Sequence, residues 1–166
     1  MAITIRQWTI EDLPNLVLYA NNINIWNNLR NYFPHPYTEE DGKTWLEKTI
    51  EDSPVVNLAI DLDGQAIGGI GLILNSDVYI MSAEVSYWIG EPFWGLGIAT
   101  KAIEKIVQHI KDDRPGVKRI FARVFENNKA SMKALQKAGF YLEGIQKNAA
   151  VKNSELVNIY VLVKLV

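Results

Sequence analysis

Apolar and polar positions alternate with period two at the start of the chain. Ile3, Ile5 and Gln7 interleave with Thr4, Arg6 and Trp8, which predicts a first strand. Thr9 to Asp12 reads as a capping-box start, with Asp12 before Leu13-Pro14 as a rival cap one turn later. Leu13, Leu16, Val17 and Ala20 then recur at helical spacing. Asn21 to Asn31 is asparagine-rich around Ile23, Ile25, Trp26 and Leu29 and predicts a short, irregular helical piece. A loop with two prolines and three aromatics, Tyr32 to Tyr37, leads to Thr38 and Asp41. These cap another helix whose Trp45, Leu46, Thr49 and Ile50 are expected to face inward. Val55 to Leu62 and Ala66 to Leu74 read as strands joined by an Asp63-Gly64 hairpin turn, with Gly68, Gly69 and Gly71 thinning the second. After a turn at Asn75 to Asp77 comes a further strand, over 82–90.

That strand runs into the turn Trp94-Gly95-Leu96-Gly97-Ile98-Ala99-Thr100, and Ile98, Ala102, Ile103, Ile106, Val107 and Ile110 form one helical stripe beyond it. Arg114-Pro115-Gly116 stops the helix, and Arg119 to Phe125 is a strand. A helix follows through Ala138, with Gly139 as its C-cap, a strand starting at Phe140, and a last strand from Leu156 to Val166. The order β α α β β β α β α β β predicts an α/β layer fold with a largely antiparallel sheet. No repeat, low-complexity segment or linker divides it, so residues 1–166 are expected to form a single domain.

Composition narrows the chemistry. At 166 residues and 48% hydrophobic content the chain can bury a core without a staple. It has no cysteine, which removes disulfides, thiol nucleophiles and thiolate metal sites, and its two histidines, His35 and His109, lie far apart, against a metal centre. A net charge of −2 argues against broad nucleic-acid affinity. No apolar run is long enough to span a bilayer, and the N-terminus lacks a signal peptide's apolar segment, which predicts a soluble, cytoplasmic protein.

The turn after strand 82–90 is the main candidate site. Bare N–H groups at a helix start and the positive end of its dipole suit a phosphate or pyrophosphate. A plain structural turn is the alternative, but it needs one glycine rather than two flanking a leucine. Gly95 to Thr100 misses the last glycine of the dinucleotide fingerprint, and no acidic residue ends a strand about 20 residues later, which disfavours a flavin or NAD site. A second candidate is Ser131, which shares a helical stripe with Ala134, Leu135 and Ala138. Its hydroxyl either bonds back to a carbonyl one turn earlier or points into a cleft.

Together, Trp94-Gly95-Leu96-Gly97-Ile98-Ala99, Asn128-Lys129-Ala130-Ser131 and Gly139-Phe140 resemble the GNAT superfamily of acetyl-CoA-dependent N-acetyltransferases. Tyr87-Trp88-Ile89-Gly90, Phe93-Trp94-Gly95 and Pro36-Tyr37-Thr38 with Asp41 are similar to its RimJ/RimL-like branch, whose known members acetylate protein N-termini. The resemblance covers essentially the whole chain. It implies a mixed, mostly antiparallel sheet of about seven strands with helices on both faces, splayed at strand 82–90. It implies acetyl-CoA as cosubstrate, no metal, and an amine acceptor that is a peptide N-terminus or a small amine. Homodimers are common in such families.

Carried over by position, the backbone of Gly95, Leu96, Gly97, Ile98, Ala99 and Thr100, next to Trp94, would hold the pyrophosphate. Trp88 and Ile89 would bond the pantetheine through main-chain groups, one strand N–H would face the thioester oxygen, and Asn128 would contact the pantetheine arm. Two positions depart from the pattern. Trp94 replaces the usual Arg or Gln, and the frequent tyrosine acid falls at Leu135, which moves any general-acid role to Ser131.

Glu84 is the candidate base through water, against the alternative that it pairs with a lysine or orients a loop. Trp26, Tyr32, Phe33, His35 and Tyr37 are expected to line the acceptor pocket, or in part to pack or meet solvent. Lys129 and Lys133 could meet the cofactor's 3′-phosphate or form a solvated face, and Glu39, Glu40 and Asp41 could meet a polyamine or serve as a helix start. A coenzyme A-binding module without catalysis is the alternative from another class; the presence of both Glu84 and Ser131 weighs against it.

Overall fold

The computed structural model describes Met1–Val166. Seven strands and five helices follow in the order β1 (Ile3–Arg6), α1 (Leu13–Ala20), α2 (Ile23–Trp26), α3 (Glu39–Glu51), β2 (Asn57–Leu62), β3 (Gln65–Leu74), β4 (Ser82–Ile89), α4 (Ile98–Asp113), β5 (Arg119–Phe125), α5 (Lys129–Lys137), β6 (Tyr141–Lys152) and β7 (Glu155–Leu165). The sheet order is β1-β2-β3-β4-β5-β7-β6. β4 and β5 run parallel, whereas β1/β2, β2/β3, β5/β7 and β6/β7 are antiparallel. This is the mixed α/β architecture expected from the element order. The chain forms two compact units, Met1–Gly71 with Tyr87–Ile98, and Leu72–Ser86 with Ala99–Val166.

In the first unit, Trp8, Leu16, Ala20, Tyr37, Leu46, Ala59 and Ala66 form a core, with Leu13, Val17, Phe33, Trp45 and Trp88 packed against it. Trp8 and Trp45 meet edge to face at 5.4 Å. Thr38 and Asp41 form the predicted capping box of α3, whereas Thr9 opens a short 3-10 turn, Ile10–Asp12, ahead of α1. Asp12 completes the capping box with Thr9 and takes the N-cap position of α1, although its side chain makes no cap hydrogen bond to α1. Its carboxylate takes the Thr9 N–H at 2.9 Å and two 2.8 Å hydrogen bonds from Arg6, whose Nε donates to Asp61 at 2.8 Å. One inward assignment fails: Ile50 is 46% exposed while Leu46 and Thr49 are buried. The α3 stripe centres on Gly42, Leu46 and Thr49, and Ile50 falls about 80° round the helix from Gly42, at the stripe's edge. Asp63 and Gly64, at φ 50° and 92°, give the β2–β3 connection two left-handed residues, as a type I′ turn requires.

In the second unit, α4 buries Ala102, Ile103, Ile106, Val107 and Ile110, as its periodicity predicts. α5 ends in a Schellman motif. The Gly139 N–H donates to the Gln136 carbonyl and the Phe140 N–H to the Leu135 carbonyl, both at 3.0 Å, with Gly139 at φ 89°. Phe140 and Leu135 are buried, which supplies the apolar contact of that motif. Asn153 and Ser154, at φ 53° and 65°, turn β6 into β7.

Candidate active site

The glycines of β3 are explained by what lies against them. A methyl group on Gly68 would strike the Trp88 carbonyl oxygen and lie 2.9 Å from the Ile89 Cα, and one on Gly69 would lie 2.9 Å from the Trp88 Nε1. The missing side chains let the end of β4 sit tight on β3. Beyond it, the Trp94 indole N–H reaches back 2.7 Å to the Ile89 carbonyl and closes the turn over Gly90 to Phe93. The residue that departs from the family pattern therefore braces the turn from within.

Gly95 and Gly97 both have left-handed backbones, at φ 76° and 75°, and nothing lies within 4 Å of where their Cβ atoms would be. Each glycine is needed for its conformation, and the space beside each is open. α4 then starts at Ile98 with no acidic residue in its first turn, so no side chain of its own cancels the positive end of this 16-residue helix. These features fit a diphosphate held on backbone N–H groups.

Glu84 lies at a fork. The parallel ladder runs through Ser82↔Arg119, Ala83↔Ile120 and Glu84↔Phe121 and goes no further, although both strands continue. The Glu84 side chain is only 8% exposed, and its Oε2 lies 3.6 Å from Nη1 of Arg123. The bland alternative for Glu84 is thus realised in part, with an arginine in place of the expected lysine. Arg123, beside the candidate base, is a residue that sequence reasoning passed over. Its signal was an arginine pair, Arg119 and Arg123, on the same face of an otherwise apolar strand.

Ser131 lies in the first turn of α5, half-buried beside the buried Met132, Ala134 and Leu135. Asn128 is the N-cap of α5, its Oδ1 accepting from the Ser131 N–H at 3.2 Å, which leaves the side-chain amide N–H groups for a ligand. Lys129 lies over the Tyr160 ring at 5.3 Å, while Lys133 is exposed.

The aromatic loop separates into distinct environments. Phe33 packs edge-on to Trp88 at 6.0 Å and lies 5.2 Å from Tyr37, and the Trp26 indole N–H donates to the Phe33 carbonyl at 2.9 Å. His35 lies 6.0 Å from the Trp26 ring. Tyr37 is a core residue, and burial pushes its hydroxyl up to about 12, well removed from acid–base work near neutral pH. Tyr32 is 77% exposed. Asn22 and Asn24 clamp the Glu91 carboxylate at 2.6 and 3.2 Å and hold it below the usual carboxylate range. A cavity of about 450 Å³ opens beside this clamp, lined by Leu18, Tyr19, Asn22, Glu91 and Pro92.

The chain belongs to the GNAT family: residues 2–141 match the Acetyltransferase (GNAT) domain. It is similar to the "Uncharacterized N-acetyltransferase p20" of Bacillus licheniformis, 29% identical over 170 residues that cover 95% of this chain and 89% of that one. The Microcin C7 self immunity acetyltransferase MccE, solved with acetyl-CoA and AMP, superposes at a TM-score of 0.86 with 25% identity, covering 99% and 92% of the two chains. RimL, the ribosomal L7/L12 alpha-N-protein acetyltransferase solved with coenzyme A, has a TM-score of 0.86 and 17% identity over 100% and 95%. The chain is therefore an acetyl-CoA-dependent N-acetyltransferase.

Proposed function

We propose that residues 1–166 act as one acetyltransferase domain of the RimJ/RimL-like kind, transferring acetyl directly to a primary α-amine in a ternary complex. The observation that carries this reading is the end of the β4–β5 ladder at Glu84, which sets a buried carboxylate where the two strands part. Acetyl-CoA supplies the activated thioester. The N–H groups of Gly95 to Thr100 and the start of α4 hold its diphosphate, the main chain of Trp88 and Ile89 bonds the pantetheine, and the amide of Asn128 orients it. One β4 N–H donates to the thioester oxygen, a kind of contact worth about 2.7–4 kcal/mol. The acceptor nitrogen attacks the carbonyl carbon, the C–N bond forms and the C–S bond breaks. Glu84 takes the amine proton through water, and the Ser131 hydroxyl donates to the departing thiolate.

Acid–base chemistry favours an α-amine. At pH 7 an α-amino group is roughly 10–15% neutral and a lysine-like amine about 0.04%, a gap of about 3.4 kcal/mol. The acidic run that could receive a polyamine is partly spent, because Asp41 accepts the Thr38 N–H at 2.8 Å and the Thr38 hydroxyl at 2.7 Å. Thiol release from acetyl-CoA, measured against peptides, amino acids, polyamines and aminoglycosides, tests the reading. Turnover is expected with α-amines, and Ser131→Ala should lower kcat more than it raises the acetyl-CoA KM. Turnover confined to polyamines or aminoglycosides sinks the α-amine assignment, and an unchanged kcat removes Ser131 from the mechanism.

A further inference from the structure

Arg6, Arg119 and Arg123 are used differently. Arg6 spends Nε, Nη1 and Nη2 on Asp61, Gln7 and Asp12. Arg119 is paired with Glu143. Arg123 sits two residues past the last rung of the β4–β5 ladder, on the same face of β5 as Phe121, and its side chain is 47% exposed. Its 3.6 Å approach to Glu84 is close for charges and too long for a direct hydrogen bond. Its guanidinium lies 5.5 Å from the Phe121 ring centroid, and that ring also carries Arg119 at 4.9 Å. The ring flanks the guanidinium next to the end of the ladder, and about half of the side chain remains open to solvent.

Building on the acetyl-transfer reading above, we propose that Arg123 is an acceptor-specificity residue. It binds a carboxylate on the acceptor, so that the preferred substrate is a free α-amino acid rather than a peptide or a polyamine. A guanidinium presents paired N–H donors that match the two oxygens of a carboxylate. In an α-amino acid that carboxylate is one carbon from the amine, so anchoring it beside Glu84 brings the nitrogen to the candidate base. The same cation disfavours the protonated form of a neighbouring amine and so favours the neutral nucleophile. A polyamine would bring several positive charges up against the Arg123 cation, with a single carboxylate, Glu84, at 3.6 Å from it.

The test measures thiol release for matched acceptors, namely an α-amino acid, its carboxamide, a short peptide with the same first residue, and spermidine. The native protein, Arg123→Gln and Arg123→Lys are compared. In parallel, calorimetry follows binding of the N-acetylated amino acid to each protein saturated with coenzyme A, and coenzyme A binding itself serves as the folding control. The native protein should prefer the free acid over its amide by at least about tenfold in kcat/KM, through KM. Arg123→Gln should bring that ratio close to one, and Arg123→Lys should keep part of it. Equal use of acid and amide by the native protein, faster turnover of the peptide or spermidine, or an unchanged ratio in Arg123→Gln overturns the proposal. If no amine is acetylated, the acetyl-transfer reading fails. Binding of the acetylated amino acid that disappears in Arg123→Gln would still support the carboxylate site, and its absence from the native protein would overturn that too.

Discussion

Two arginine–carboxylate clusters, one in each unit, show how the same chemistry serves opposite ends. In the first unit Arg6 is enclosed by Asp12 and Asp61, with every contact between 2.8 and 3.1 Å and both carboxylates buried. In the second, Glu84 is equally buried, but Arg123 stands off at 3.6 Å and is half-exposed. The closed cluster joins β1, β2 and the turn before α1, so its return is stability. The open one sits where a strand ladder ends, and a half-exposed cation there is open to a ligand. The two differ in closure more than in the presence of an ion pair, and it is the open cluster that the proposed mechanism uses.

Breaking each cluster should have different consequences. The largest effect is expected from Glu84→Gln, which should lower kcat for acetyl transfer by about 10²–10⁴-fold. Its melting temperature should fall less than that of Arg6→Ala, since the substitution strands no buried charge and Arg123 is half in solvent. A large loss of stability instead would mean that Glu84 is structural. Arg6→Ala should do the reverse. It strands two buried carboxylates and should cost about 3–5 kcal/mol in urea unfolding, while activity per folded molecule is kept.

Gly68→Ala sharpens the contrast from the strand side. The new methyl group meets the Trp88 carbonyl, a backbone atom that cannot step aside cheaply. A destabilisation of about 1–3 kcal/mol is expected, together with weaker coenzyme A binding measured by calorimetry.

The smallest effect is a pH dependence. Burial pushes the Asp12 carboxyl up, but the Arg6 hydrogen bonds and the Thr9 N–H outweigh it and hold it below the usual carboxylate range. A carboxyl lowered on folding stabilises above its unfolded value of about 3.9 and loses that contribution as pH falls further. Urea midpoints of the native protein should therefore drop below about pH 4, and Arg6→Ala should show a shallower drop over the same interval.

The parts of the molecule that follow a regular period were open to reading from sequence. The α4 stripe, the Thr38 capping box, the Asp63-Gly64 turn and the Gly139 C-cap all came through, because each is set by neighbouring residues. The glycine turn was legible for the same reason. What escaped depends on residues far apart in the chain. Asp61 meets Arg6 across 55 positions, Asn22 meets Glu91 across 69, and Arg123 meets Glu84 across a strand crossover, and no local period encodes such pairings. β6 was legible only at its start, because its exposed middle, with Lys147, Asn148 and Ala149, lacks alternation and bulges against β7.

Trp94 gives the glycine turn an optical readout of its own. The residue is 45% exposed, its indole N–H is hydrogen-bonded to the Ile89 carbonyl, and it precedes Gly95, beside which the space is open. Indole emission responds to the polarity around the ring and to nearby charge, so a diphosphate settling on the turn should alter it. Titrating coenzyme A while exciting tryptophan would then report occupancy of the turn without an acceptor, a label or a turnover, and Trp94→Phe would assign the signal to this ring among the protein's five tryptophans.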